Sequence, residues 1–180
     1  MAIKITEKTR KILLYVAMAL VAFMVAVGSP MVVGSCRRND LKGATASFTV
    51  YAENGKKVEL SDFYGEPIVV NFWATWCNPC QQEMPSFDEA YAEYKDDVHF
   101  VMVNMTTWED TKTTSEISKF IADKGYDFPI YFDKDGDAEK TYEIESIPLT
   151  LFIGKDGKVA YTHEGAMFQT QLYNYIEKII

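Results

Sequence analysis

The chain opens with a basic segment followed by an unbroken apolar run. Lys4, Lys8, Arg10 and Lys11 precede Ile12–Val27, and no charged residue occurs from Ile12 to Ser35. A bilayer span takes about 20 apolar residues, within a range of about 17–25. A stretch apolar on every face behind a basic flank reads as a membrane-entering segment rather than a core helix. The basic flank stays in the cytoplasm, so everything after Ser35 is expected outside. Beyond it the pattern shifts to short alternating and amphipathic runs. Ser47–Ala52 and Lys57–Leu60 alternate around Glu53-Asn54-Gly55, and Asn-Gly readily takes the positive φ angles of a tight turn, which predicts a hairpin. Ile68–Trp73 is nearly all apolar, as suits a central buried strand.

After Cys77, the residues Met84, Phe87, Tyr91 and Tyr94 recur at helical spacing. They predict a helix to about Lys95, with Pro85 inside it and expected to kink it. Val98–Asn104 is the next strand. Thr113-Thr114-Ser115-Glu116 matches a capping box, Ile117, Phe120 and Ile121 supply an apolar stripe, and Gly125 closes that helix. Pro129–Phe132 is strand-like and Ala138–Glu143 a short helix. Leu149–Ile153 and Lys158–Thr162 form a hairpin across Lys155-Asp156-Gly157, and Phe168, Leu172, Ile176 and Ile179 mark a C-terminal amphipathic helix. This order predicts an α/β domain: a mixed β-sheet with helices on both faces and an N-terminal β-hairpin.

The division that follows is residues 1–36 as a membrane anchor or signal sequence, 37–46 as a polar tether, and 47–180 as the folded domain. Three fates fit the first segment: an uncleaved anchor, cleavage near Ala26-Val27-Gly28, or lipidation at Cys36. Val33-Gly34-Ser35-Cys36 resembles a lipobox, with an aliphatic residue, two small ones and the acceptor cysteine. Of the 180 residues, 48% are hydrophobic and 14% aromatic, enough for one core, which excludes a disordered chain. Residues 37–180 hold 14 basic and 25 acidic residues, a net charge of −11. An acidic exported domain is no generic nucleic-acid binder.

Three cysteines are too few for a disulfide-stapled scaffold or for a zinc site built of cysteine alone. Two of them, Cys77 and Cys80, form Cys77-Asn78-Pro79-Cys80 between a predicted strand and a predicted helix. Unpaired N–H groups and the macrodipole at a helix N-terminus stabilise an anion, so Cys77 should be the low-pKa, attacking thiolate. Pro79 fits the first helical turn, where it forfeits no hydrogen bond. Cys80, one turn on, can resolve a mixed disulfide. A metal half-site would need further ligands, and His99, His163 and Cys36 are isolated. Asp133-Lys134-Asp135-Gly136-Asp137 lacks the Gly and Glu of a calcium loop, since Ala138 and Ile144 stand in those places, and reads as a turn.

The run Val70-Asn71-Phe72-Trp73-Ala74-Thr75-Trp76-Cys77-Asn78-Pro79-Cys80-Gln81-Gln82-Glu83-Met84-Pro85 resembles the active-site stretch of the thioredoxin-like fold. More narrowly, it is similar to the TlpA/ResA-like membrane-tethered bacterial thiol-disulfide oxidoreductases, over essentially Ser47–Ile180. The resemblance implies a redox-active Cys77–Cys80 disulfide and no other cofactor or metal. It makes Pro148 the cis-proline opposite the cysteines, Ile147 a shaper of the substrate groove, and Trp76, with Asn78 and Pro79, its flank. Trp73 belongs to the core. Asn71 stands where cytoplasmic thioredoxins carry a buried acid, and the resemblance hands that acid's work to Glu83, one turn after Cys80. The implied partners are disulfide-bearing exported proteins, of the apocytochrome c or methionine sulfoxide reductase type, and a membrane electron donor of the thioredoxin-reductant transporter type. The expected activity is extracytoplasmic disulfide reduction. The alternatives are a disulfide-forming oxidase, a docking module without turnover, and a thiol peroxidase, for which Val70 occupies the place of an upstream proline.

Overall fold

The computed structural model describes residues 41–180 except Ala46 and Asp110, together with Lys8. The chain divides into two units, residues 1–37 and 38–180, and the sheet and helices that follow belong to the second. The apolar run Ile12–Val27 and Cys36 lie outside the described residues. Among those described, no helix is long and apolar enough to cross a membrane.

Side-chain parity along three central strands decides which residues meet. In β3 (Ile68–Trp73), Ile68, Val70 and Phe72 join one core cluster, while Val69 and Trp73 join the other. Asn71 shares the parity of Val69 and Trp73. In β4 (His99–Asn104), Phe100 and Met102 face that same second side, and so, by alternation, does Asn104. In β6 (Leu149–Ile153), Phe152 does the same, which places Thr150 there too. Three polar side chains therefore point to one layer of the molecule.

The sheet has seven strands in the order β2-β1-β5-β4-β3-β6-β7. The remaining strands are β1 (Thr49–Ala52), β2 (Lys57–Glu59), β5 (Ile130–Phe132) and β7 (Val159–Glu164). β3, β4 and β5 run parallel, and the outer pairings are antiparallel. The helices are α1 (Asn78–Tyr94), α2 (Thr114–Lys124), α3 (Asp137–Thr141) and α4 (Gln169–Ile176). The crossovers β3-α1-β4 and β4-α2-β5 step in one direction across the sheet. A shared hand of crossover therefore places α1 and α2 on the same face. Their buried Met84, Phe87, Ala90, Ile117 and Ile121 join Leu172 and Ile176 of α4 in one cluster; Ala138 of α3 and Tyr142 belong to the cluster on the other face. The expected mixed sheet with helices on both faces and a leading hairpin is the fold observed.

Local signals fall where the sequence puts them. Thr113 and Glu116 form a reciprocal capping box at α2, and Gly125 ends the helix at φ 75°. Pro85 lies in the interior of α1. In the β1–β2 turn only Gly55 adopts positive φ, at 80°. The Asp133 carboxylate accepts the backbone N–H groups of Asp137, Ala138 and Glu139 at 2.8, 3.3 and 2.9 Å, so the acidic loop caps α3. His99 Nε2 lies 2.9 Å from Glu66 Oε2, and His163 Nδ1 lies 3.3 Å from the Gln171 amide.

One expectation is corrected. Phe168 is not on the apolar stripe of the C-terminal helix. It is the N-cap of α4, with extended dihedrals (φ −106°, ψ 165°), and is 56% exposed. Helical periodicity does not extend to a residue outside the helix, and Met167 fills the core in its place.

Candidate active site

β3 ends at Trp73, and Ala74-Thr75-Trp76 carries the chain over the top of the sheet into α1. Cys77 is the N-cap of that helix, and its sulfur accepts the Cys80 N–H at 3.2 Å. Sulfur thus takes the role that a serine or aspartate oxygen usually plays at a helix start. Pro79 lies in the first turn, where helix N–H groups have no intrahelical acceptor. Cys77 and Cys80 are joined by a disulfide, S–S 2.03 Å, with Cα atoms 5.3 Å apart. Both are buried, Cys80 completely. The Ile147 carbonyl oxygen lies 3.9 Å from Cys77 Sγ, and the Ile147–Pro148 peptide is cis. Trp76 is 52% exposed, and its indole N–H donates to the Trp108 carbonyl at 3.0 Å. Trp73 is fully buried.

Glu83 lies one helical turn beyond Cys80 and is fully buried. Its carboxylate is held from two directions. Asn71 Nδ2 donates to Oε1 at 2.8 Å, and the Met167 N–H donates to Oε2 at 2.7 Å. Asn71 Nδ2 also lies 3.1 Å from Thr150 Oγ1, on the strand that follows Pro148. Burial pushes the Glu83 carboxyl up to about 7, because desolvation outweighs the two hydrogen bonds that favour its charged form. The layer defined by strand parity thus contains a buried carboxyl with a raised pKa, one helical turn along α1 from a completely buried sulfur. Among the described residues, no group of three or more His, Cys, Asp and Glu is placed to hold a metal ion.

A second group of residues, not anticipated from the sequence, holds the loop that delivers Cys77. Glu109 accepts from the Thr75 N–H and the Thr75 hydroxyl, each at 2.7 Å, and from Asn104 Nδ2 at 3.0 Å. Gln81 Nε2 donates to the Thr75 carbonyl at 2.7 Å. Both backbone polar groups of Thr75 are therefore satisfied by side chains, from the loop after β4 and from the first turns of α1. Only one signal was available, the polar Asn104 closing an apolar strand on the parity of Asn71. Nothing local points to Glu109 as the anchor of Thr75, which lies 34 positions earlier.

A helix-capping cysteine, a partner cysteine one turn on and an X-Pro carbonyl against the first sulfur, all on this sheet, define a thiol-disulfide oxidoreductase of the thioredoxin-like class. Comparison with known proteins agrees. The AhpC/TSA family model matches residues 42–162. Thiol-disulfide oxidoreductase ResA of Bacillus thuringiensis subsp. konkukian is 37% identical over 133 residues, covering 74% of this chain and 75% of that protein. ResA of Bacillus subtilis is 31% identical over 134 residues, covering 74% and 72%. Among solved structures, StoA of Bacillus subtilis matches with a TM-score of 0.64 at 28% identity, over 74% of this chain and 98% of that one. The exposed lipoprotein thioredoxin of Streptococcus pneumoniae matches with a TM-score of 0.63 at 29% identity, over 74% and 99%. The chain belongs to the AhpC/TSA family and, with its ResA relatives, to the thioredoxin-like thiol-disulfide oxidoreductases.

Proposed function

We propose that this oxidoreductase works outside the cytoplasm, tethered by its N-terminal segment, and reduces disulfides in exported proteins. The observation that carries the reading is the asymmetry of the two sulfurs. Cys77 caps the helix and accepts an N–H, while Cys80 has no exposed surface. In the reduced enzyme the Cys77 thiolate attacks one sulfur of a client disulfide, forming a mixed disulfide and releasing one client thiolate. The Cys80 thiolate then attacks Cys77 Sγ, closing the Cys77–Cys80 bond and releasing the second client thiolate. Two electrons pass from enzyme to client. Cys80 must lose its proton in a closed site, and Glu83 is the group that accepts it and later returns it.

Trp76, Asn78, Pro79, Ile147 and Pro148 form the surface on which an extended client segment lies, with the Ile147 carbonyl beside the attacked sulfur. Return to the dithiol state requires electrons from a membrane donor of the thioredoxin-reductant transporter type. Clients carrying an oxidised haem-attachment C-x-x-C-H, or an exported methionine sulfoxide reductase, suit this chemistry. The basic flank and apolar run ahead of residue 36, or a lipid on Cys36, supply the tether.

The test is a Cys80→Ala variant expressed from the native locus. It should accumulate mixed disulfides through Cys77 with exported proteins. Purified wild-type protein should reduce insulin disulfides and consume no peroxide. Peroxide consumption without insulin reduction would overturn the reading, as would trapped partners confined to the cytoplasm.

A further inference from the structure

The described residues expose three large hydrophobic side chains, Trp76, Phe168 and the terminal Ile180. Trp76 directly precedes Cys77. Phe168 is less expected, because its position penalises it twice. An N-cap favours Ser, Thr, Asp or Asn, and Phe168 makes no side-chain cap hydrogen bond. A phenyl ring 56% exposed also leaves apolar surface in water. A residue that breaks a local rule without a structural gain marks a position held for another reason.

Its backbone is tied to the redox site on two sides. The Gly165 N–H donates to the Pro148 carbonyl at 2.9 Å, and the Met167 N–H donates to Glu83 Oε2 at 2.7 Å. The segment from Gly165 to Phe168 is therefore anchored both to the loop bearing the cis-proline and to α1. Trp76 is fixed in its turn by the Trp108 carbonyl. Both rings are presented on supports that need not order when a client arrives. Trp76 and Phe168 carry no charge, and neither do their sequence neighbours Asn78, Pro79 and Ala166 or the half-buried Ile147, in a domain of net charge −11.

We infer that Phe168 is a specificity-determining residue, forming with Trp76 an apolar clamp for client disulfides whose cysteine is flanked by bulky apolar side chains. This rests on the proposed function and adds a client class to it. The client backbone crosses Cys77 beside Ile147, and its flanking side chains reach the two rings. An uncharged clamp on an acidic domain favours uncharged flanks and disfavours acidic ones.

The experiment uses the full chain, pre-reduced, with three oxidants: a disulfide-linked Leu-Cys-Leu peptide dimer, its Ser-Cys-Ser counterpart and hydroxyethyl disulfide. Phe168→Thr restores a favoured N-cap residue and so guards the fold, and Phe168→Leu keeps an apolar side chain. For Phe168→Thr the rate constant with the leucine peptide should fall by about tenfold, while the serine peptide and hydroxyethyl disulfide should react as with wild type. Phe168→Leu should retain most of the preference. Equal rates of Phe168→Thr and wild type with the leucine peptide, or an equal loss with all three oxidants, would overturn the clamp. A wild-type protein inert toward hydroxyethyl disulfide would instead overturn the functional reading on which the clamp rests.

Discussion

Replacing Glu83 by Gln should change how stability depends on pH, and the structure sets both sign and size. The carboxyl has an ordinary value of 4.5 and is raised to about 7 by burial. Between those values the folded protein keeps the proton and the unfolded chain has lost it. The folded state therefore binds more protons there, and stability falls as pH rises through that window. The contribution is fully present below 4.5 and lost once pH passes 7. A gap of that width corresponds to about 3 kcal/mol. Gln cannot ionise, so Glu83→Gln should lack this slope.

The amide has one acceptor oxygen where the carboxyl has two, so either Asn71 Nδ2 or the Met167 N–H loses its partner. That loss costs about 1–3 kcal/mol at any pH. The variant should therefore be less stable than wild type near about pH 5, and equal or more stable near about pH 8. The assay is urea unfolding of both proteins, kept oxidised so that neither cysteine titrates. Groups common to the two proteins cancel in the difference. Parallel stability curves across the window would refute the reasoning, because they would show that Glu83 ionises alike in the folded and unfolded chains.

In the reduced proteins, Glu83→Gln should let active-site thiolate form at lower pH, read from thiolate absorbance, and should slow client reduction by about 100-fold or more. Limited alkylation of the reduced protein at mildly acidic pH should modify Cys77 before Cys80, which is completely buried; mass mapping decides it. Gly157→Ala should destabilise by about 2–4 kcal/mol in chemical unfolding. Gly157 has φ 73°, and a methyl there would sit 2.8 Å from the Tyr64 ring carbons. Glu143→Gly should stabilise by about 0.5–1 kcal/mol by the same measurement. Glu143 follows α3 at φ 47°, in a Schellman arrangement where the Ile144 N–H reaches the Glu139 carbonyl at 3.0 Å.

What the sequence made legible, and what it did not, follows from the range of each interaction. Capping boxes, turn glycines and the cysteine at a helix start act within four residues, so Thr113 with Glu116, Gly125 and Cys77 with Cys80 read directly off the chain. Glu83 was half legible. Its spacing from Cys80 gave its helical face, and the family resemblance, with Asn71 standing in place of a buried acid, implied its role. The parity of Asn71 with Trp73 shows that the partner of Asn71 must come from the α1 side. Its second clamp, the Met167 N–H, comes from 84 residues away, and no local pattern announces it. Glu109 was illegible for the same reason.

Phe168 misled because an apolar residue continues a helical stripe whether or not the helix has begun. Only the backbone angles put it outside. That failure is informative: a stripe residue left over at a cap, beside a neighbour that supplies the core contact, has no packing left to explain it. Met167 supplies that contact here. The exposed part of the Phe168 ring is what the proposed clamp puts to use.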